Sequence, residues 1–441
     1  MQDPYPHSSH RRRFMAATAA GMALPVLAQP QPADKLERGS TRVSGFANAE
    51  MDFQLMRQLG TARYGGAAVG ECLALAQRIR NGVPASWVSE FTAAARRQES
   101  DAQARALRSH AVSARDQYLV ACNSYRAAEY YCGVQDPEHA RLGLKSRECF
   151  LAAVRGLDDR VEEVFLSFGG ATLPAYYVRA AGRRGQKSKT LMLISGYDGT
   201  LEETWLSYGR AALERGYHLM LFSGPGQMDT LRFHPGMSFI PEYEHIGRLA
   251  LDHVLARPAT DPRRVALMGI SFGGYFATRI AAHEPRVRAL IANSPIVDLH
   301  AYMVSFIGFD PALLPENKDV RLDEIDHIPD SAIPLQTREM MRNLMLRLGQ
   351  TSFRQTYLRL RDFRVDDDSL RRLSCPALAL VGTGEGAEPL VQSEHFLRAV
   401  GGPATRHVFT AEEGAEGHCQ TGNLAYSAAV SMDWLDELFG A

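Results

Sequence analysis

The chain has 441 residues, enough for one large core plus a smaller domain, and 45% hydrophobic with 22% charged content is a globular composition. With a formal net charge of −1, nothing in the composition suggests nucleic acid or an anionic membrane surface as a partner, and neither is expected. Six cysteines are scattered without metal-ligand spacing, so the sequence indicates neither metal nor cofactor, and thiols are expected rather than a disulfide framework.

At the N-terminus, Arg11-Arg12-Arg13-Phe14-Met15 precedes a mild apolar run from Ala16 to Leu27, and Ala28 offers a small residue for cleavage. Residues 1–28 thus resemble a twin-arginine export signal, which implies a periplasmic or secreted protein; a mis-set start codon would instead leave it cytoplasmic. The run falls short of the about 20 apolar residues that a span needs, so no stable membrane anchor is expected. Residues 29–48 are rich in Pro, Gly and charge and read as a linker.

Residues 49–157 carry helical periodicity and read as an N-terminal helical cap domain. Val69, Cys72, Ala76 and Ile79 share a predicted face, and Pro84 suits the first turn of the next helix. Leu107, Ala111, Ala114, Tyr118, Ala121 and Tyr125 form a long apolar stripe, read as core packing. Cys122 and Cys132 fall on one predicted helix at roughly 15 Å, too far for a disulfide.

From about residue 158 the pattern changes to short apolar runs separated by helical stretches, which predicts an α/β fold with a mostly parallel sheet. Val164 to Phe168 and Ala175 to Val178 read as its first two strands. Thr190 to Ile194 leads into Ser195-Gly196-Tyr197-Asp198-Gly199, and His218 to Phe222 leads into Ser223-Gly224-Pro225-Gly226-Gln227. Val265 to Ile270 is followed by Ser271-Phe272-Gly273-Gly274 and a helical segment, giving Gly-x-Ser-x-Gly between a strand and a helix. That is a nucleophile elbow, in which flanking glycines allow the tight crossing that lifts a serine hydroxyl clear of the sheet. After Ala289 to Asn293 the alternation stops, and residues 299 to 370 look helical and loop rich, as a lid insertion would.

Strand-like Ala377 to Val381 runs into Gly382-Thr383-Gly384-Glu385-Gly386-Ala387-Glu388-Pro389, and His407 to Phe409 is followed by the loop carrying His418. A nucleophilic serine needs a base to take its proton and a carboxylate to orient that base, and in this architecture both follow it in the chain. Ser271, Glu385 and His418 stand in that order, with Glu388 as the reserve acid. Two backbone amides complete the chemistry as an oxyanion hole, one on Phe272 and the other assigned to Tyr197. Asp198, Glu202, Glu203, Asp298 and His300 lie near the motifs, although such residues more often cap helices or face solvent.

These motifs resemble the α/β-hydrolases. Ser223-Gly224-Pro225-Gly226-Gln227 is similar to the Asp-Gly-Pro-Gly-Gln turn of a bacterial and fungal subgroup, and Gly414-Ala415 with His418-Cys419-Gln420 is similar to its histidine loop. The subgroup includes 2,6-dihydroxypseudooxynicotine hydrolase, fungal polyketide-shortening hydrolases and esterases like the fermentation-respiration switch protein. The resemblance implies an α/β-hydrolase fold behind a helical segment, with Ser271, Glu385 and His418 as the triad. Ser223 departs from the usual aspartate, and Glu385 stands where many members have Asp.

Three function classes follow. A serine hydrolase would act on a small ester, thioester or amide through an acyl-enzyme. A carbon-carbon hydrolase would cleave an aryl or polyketide ketone with the same triad, and an inactive binding protein is the third class. Residues 51 to 154 and 299 to 370 offer apolar and aromatic groups, among them Trp87, Phe91, Tyr118, Phe306 and Phe309, for roofing a small-molecule pocket without an evident cationic clamp. The sequence does not separate monomer from homodimer.

Overall fold

Apolar residues at helical spacing, punctuated by caps, build the first part of the molecule. The computed structural model describes residues 45–155, 160–181 and 187–440; residues 1–44, which hold the expected export signal and most of the expected linker, lie outside them. Five helices come first: α1 (Ala49–Gly60), α2 (Val69–Ala76), α3 (Pro84–Leu107), α4 (Ala111–Tyr130) and α5 (Pro137–Val154). Asn48 and Asp136 cap α1 and α5 through their side chains, and Pro84 and Pro137 open α3 and α5, where the missing N–H costs nothing.

Three sequence expectations fail here. The stripe from Leu107 to Tyr125 is not one face, because the chain breaks at Arg108–His110 with Ser109 in the left-handed region at φ 62°, leaving Leu107 88% exposed and Ala111 exposed at the turn. Val69 likewise faces solvent, while Cys72 and Ala76 are buried. Cys132 lies beyond the end of α4, and the six cysteines are free thiols.

The sheet follows, with strands β1 (Arg160–Phe168), β2 (Ala171–Arg179), β3 (Ser188–Ile194), β4 (His218–Phe222), β5 (Thr260–Ile270), β6 (Ala289–Asn293), β7 (Ala377–Gly382) and β8 (Ala404–Phe409). Their order is β1-β2-β4-β3-β5-β6-β7-β8, antiparallel at β1/β2 and β2/β4 and parallel from β4 onward. Gly169 and Gly170, both at positive φ, make the turn between β1 and β2. β3, β4, β6 and β7 are buried along their whole length, as strands covered on both faces must be.

Alternation along these strands divides the core. Leu191, Leu193, Leu219 and Leu221 belong to one cluster with Trp87, Phe91, Tyr125 and Phe150 of the N-terminal helices. Met192, Ile194, Met220 and Phe222 belong to a second cluster on the opposite face. The N-terminal helices therefore share a continuous core with the sheet; Phe150 packs against Tyr176 and Trp205 at 5.1 and 5.3 Å between ring centroids. Between β6 and β7 lie the helices Leu299–Ile307, Leu335–Arg347, Phe353–Leu360 and Asp367–Arg372, with 3-10 turns between the first two. Among the described residues, no helix is long and apolar enough to cross a membrane.

Candidate active site

The strand β5 ends at Ile270, and the helix Phe272–His283 begins two residues later. Ser271 makes the turn at φ 61°, a strained value for a residue with a side chain. The flanking glycines are required: a Cβ on Gly269 would overlap the Gly273 carbonyl, and one on Gly273 would lie 2.5 Å from the Ile194 carbonyl oxygen. The Ser271 amide donates to the Asn293 carbonyl at 2.5 Å, tying the elbow to β6.

Ser271 Oγ lies 2.9 Å from His418 Nε2, and His418 Nδ1 lies 2.6 Å from Glu385 Oε2. Glu385 is wholly buried in the turn after β7, where its Oε1 accepts from the Gly382 amide at 2.9 Å and its Oε2 from Ser294 Oγ at 3.3 Å. These donors leave Oε2 aimed at the imidazole, which in the neutral ring assigns Nδ1 as the N–H donor and Nε2 as the acceptor from Ser271. Glu388 does not take part; it accepts from Gln392 on the helix Ala387–Ala399. Burial disfavours the imidazolium, but the Cys419 sulfur 3.5 Å from Nε2 and then the Glu385 carboxylate outweigh it, and His418 is pushed up to about 10.

The histidine loop is held from behind by a polar network that the sequence reading missed. Cys419 and Gln420 adopt left-handed backbone at φ 54° and 53°. Gln420 Oε1 accepts from Asn293 Nδ2 at 2.8 Å and Ser427 Oγ at 2.9 Å, and Asn293 Nδ2 also donates to the Tyr208 hydroxyl at 2.9 Å. The one sequence signal was Gln420 within the His-Cys-Gln motif.

The loop after β3 leans on the elbow. A Cβ on Gly196 would lie 2.7 Å from both the Phe272 amide nitrogen and Ser271 Cβ, so only glycine lets Tyr197 follow this close to Ser271. Gln227 Nε2 donates to the Ser195 carbonyl at 2.6 Å and the Gly196 carbonyl at 3.2 Å, while its Oε1 accepts from the Gly224 amide at 2.7 Å. The Gly-Pro-Gly-Gln turn thus pins the neighbouring loop. Arg347 donates to the Tyr197 carbonyl and lies over its ring at 4.2 Å.

A model of the prolyl oligopeptidase family matches residues 249–318, the stretch that contains the elbow. A hydrolase of a Fusarium species is 29% identical over 426 residues, covering 90% of this chain and 98% of its own. The alpha/beta hydrolase psoB of Aspergillus fumigatus is 29% identical over 431 residues, covering 90% and 94%. The solved structure of 2,6-dihydroxy-pseudo-oxynicotine hydrolase superposes with a TM-score of 0.66 over 86% of this chain and 96% of that one, at 19% identity. The chain has the α/β-hydrolase fold.

A cavity of about 870 Å³ opens over Ser271 and His418. Its roof comes from both helical parts: Phe53 of α1 lies 6.5 Å from the His418 ring, and the Tyr302 hydroxyl of the lid lies 3.2 Å from His418 Nδ1. Of the roof residues expected from sequence, Phe306 and Phe309 line the cavity, but Trp87 and Phe91 are buried in the helical core and Tyr118 packs against that core. Cationic groups reach the cavity from positions distant in sequence from the motifs. Arg57 lines the wall, donating to Glu203 at 2.6 Å and Asp198 at 3.1 Å, and Arg347 lies opposite Tyr197. Neither arginine sits near a motif in sequence.

The other charged candidates are structural. Glu202 accepts from Tyr176 and Arg232 in the core, Asp298 caps the helix Leu299–Ile307, and His300 lies 3.2 Å from Asp310. Among the described residues, no cluster of His, Cys, Asp or Glu could hold a metal ion.

Proposed function

We propose that this protein is a serine hydrolase acting on a small acyl substrate, an ester, thioester or amide, through an acyl-enzyme. The observation that carries the reading is the unbroken hydrogen-bonded sequence from Ser271 to His418 to Glu385, at 2.9 and 2.6 Å. His418 Nε2 takes the Ser271 proton as Oγ bonds to the acyl carbon, and Glu385 stabilises the imidazolium that forms. The carbonyl oxygen becomes an oxyanion facing the Phe272 and Tyr197 amides, each such donor being worth about 10²–10³ in rate. As the acyl–heteroatom bond breaks, the Nε2 proton passes to the leaving group. Water then repeats the cycle on the acyl-enzyme and regenerates Ser271.

The cavity supports a small-molecule substrate, since its volume lies within the range of roughly 300–1,000 Å³ typical of small-ligand sites and its walls are largely aromatic and aliphatic. A second reading, carbon-carbon hydrolysis of an aryl or polyketide ketone, is favoured by Tyr302, whose lid hydroxyl beside His418 is suited to protonate a carbon leaving group. Purified full chain assayed on p-nitrophenyl acyl esters and on aryl diketones tests both. Ester turnover abolished by Ser271→Ala supports the first reading, and diketone turnover lost on Tyr302→Phe with ester turnover retained supports the second.

A further inference from the structure

The lid helix Leu335–Arg347 meets the N-terminal helices along one face, on which Gln336, Glu339 and Asn343 recur at helical spacing. The outer two residues bond across the seam. Asn48 Nδ2 donates to Gln336 Oε1 at 2.5 Å, Gln336 Nε2 to the Tyr131 hydroxyl at 3.3 Å, and the Val134 amide to Asn343 Oδ1 at 3.2 Å. Glu339, between them, does not: its Oε2 is buried and accepts from no described residue. The adjacent cations are engaged elsewhere, Arg338 with Asp330 and Arg342 with Asp326.

A second cavity, of about 710 Å³, lies against this gap, and Tyr131, Cys132, Glu339 and Asn343 wall both it and the cavity over Ser271. Glu339 therefore stands where the two spaces meet. Burial pushes its carboxyl up, against the opposing pull of Arg342 and Arg338. A carboxylate oxygen buried without a donor costs free energy and contributes nothing to the seam. A donor arriving with a ligand removes that cost.

Resting on the serine-hydrolase reading for the chemistry at Ser271, we infer that Glu339 binds the far pole of the substrate, a hydrogen-bond-donating hydroxyl or ammonium group on an otherwise apolar acyl chain. The substrate class is then an ω-hydroxy- or ω-amino-acyl compound rather than a plain fatty acyl ester. Discrimination is expected in KM, because Glu339 belongs to the lid helix and not to the Ser271, His418 and Glu385 hydrogen-bonded set.

The test uses the full chain as wild type, Glu339→Gln and Glu339→Leu, with p-nitrophenyl esters in a chain-length series ending in methyl, hydroxyl or ammonium. A hydrogen bond to a charged group predicts that at a matching length the hydroxyl or ammonium ester exceeds the methyl ester by about 10- to 100-fold in kcat/KM. Glu339→Leu brings that ratio to near one, and Glu339→Gln retains a preference for hydroxyl alone. Which of the two polar ends wins in the wild type identifies the natural pole. Calorimetric binding of ω-amino and ω-hydroxy alkanes to Ser271→Ala protein, with and without Glu339→Leu, gives a readout independent of turnover. No polar preference at any length together with no binding difference overturns the inference. Differential binding without hydrolysis of any ester overturns the serine-hydrolase reading and leaves Glu339 as the binding residue.

Discussion

Replacing Glu385 by Gln removes one charge and almost no volume, so its effect isolates what the carboxylate does. The carboxylate has two oxygens for three donors, the Gly382 amide, Ser294 Oγ and His418 Nδ1. An amide has one oxygen and two N–H donors. If that oxygen stays with Gly382, the NH₂ faces Nδ1 and forces the imidazole into the tautomer protonated at Nε2, which cannot accept the Ser271 proton. If it turns to His418, the NH₂ meets the Gly382 N–H in a fully buried turn, leaving donors unsatisfied at about 1–3 kcal/mol. Either arrangement also loses the charge that stabilises the imidazolium. Together these put the loss in kcat at about 10³–10⁴-fold, or roughly 4–5.5 kcal/mol. Steady-state hydrolysis of p-nitrophenyl acetate, with circular dichroism to verify folding, measures it. A Glu385→Gln enzyme within about ten-fold of wild type, or a Glu388→Gln enzyme that is the slower of the two, would refute the reasoning.

Three further outcomes follow from the same geometry. Because His418 must be neutral to accept a proton and is held above the ordinary histidine value of about 6.5, kcat/KM should rise with pH along a limb displaced to the alkaline side, and Cys419→Ala should move that limb down; a limb at the ordinary value that Cys419→Ala leaves in place contradicts this. Gln227→Leu frees the Ser195 and Gly196 carbonyls and should lower kcat by about 10- to 100-fold with little change in KM, since loops misplaced by an ångström cost about that much. Arg232 is buried against Glu129, Glu202 and Asp229, so Arg232→Leu strands three carboxylates and should cost about 3–5 kcal/mol in urea unfolding at neutral pH. Burial already pushes Asp229 well above the usual carboxylate range, so the deficit should shrink as pH falls and the stranded groups take up protons; a deficit below about 1 kcal/mol would argue that the network is inert.

What was legible in the sequence is what a buried parallel strand makes legible. β3, β5 and β7 are short apolar runs, and the residues just after them, Tyr197, Ser271 and Glu385, could be placed by counting from the strand end. The first two strands were read too short, because Arg160, Glu162 and Glu163 belong to β1, an edge strand whose exposed residues carry charge. The unread parts depend on partners distant in sequence. Arg57 meets Glu203 across 146 residues, and Asn293 meets Gln420 across 127, with no periodicity linking either pair. The break at Ser109 was hidden because the apolar spacing continues through a turn that lacks glycine or proline.

The central claim is that Ser271 is the nucleophile. Incubation of the full chain with a fluorophosphonate, followed by peptide mapping, tests it without knowledge of the natural substrate. The account predicts one phosphonylated residue, Ser271, with labelling abolished by Ser271→Ala and strongly slowed by His418→Ala. Labelling at another residue, or labelling that persists in Ser271→Ala, would contradict it.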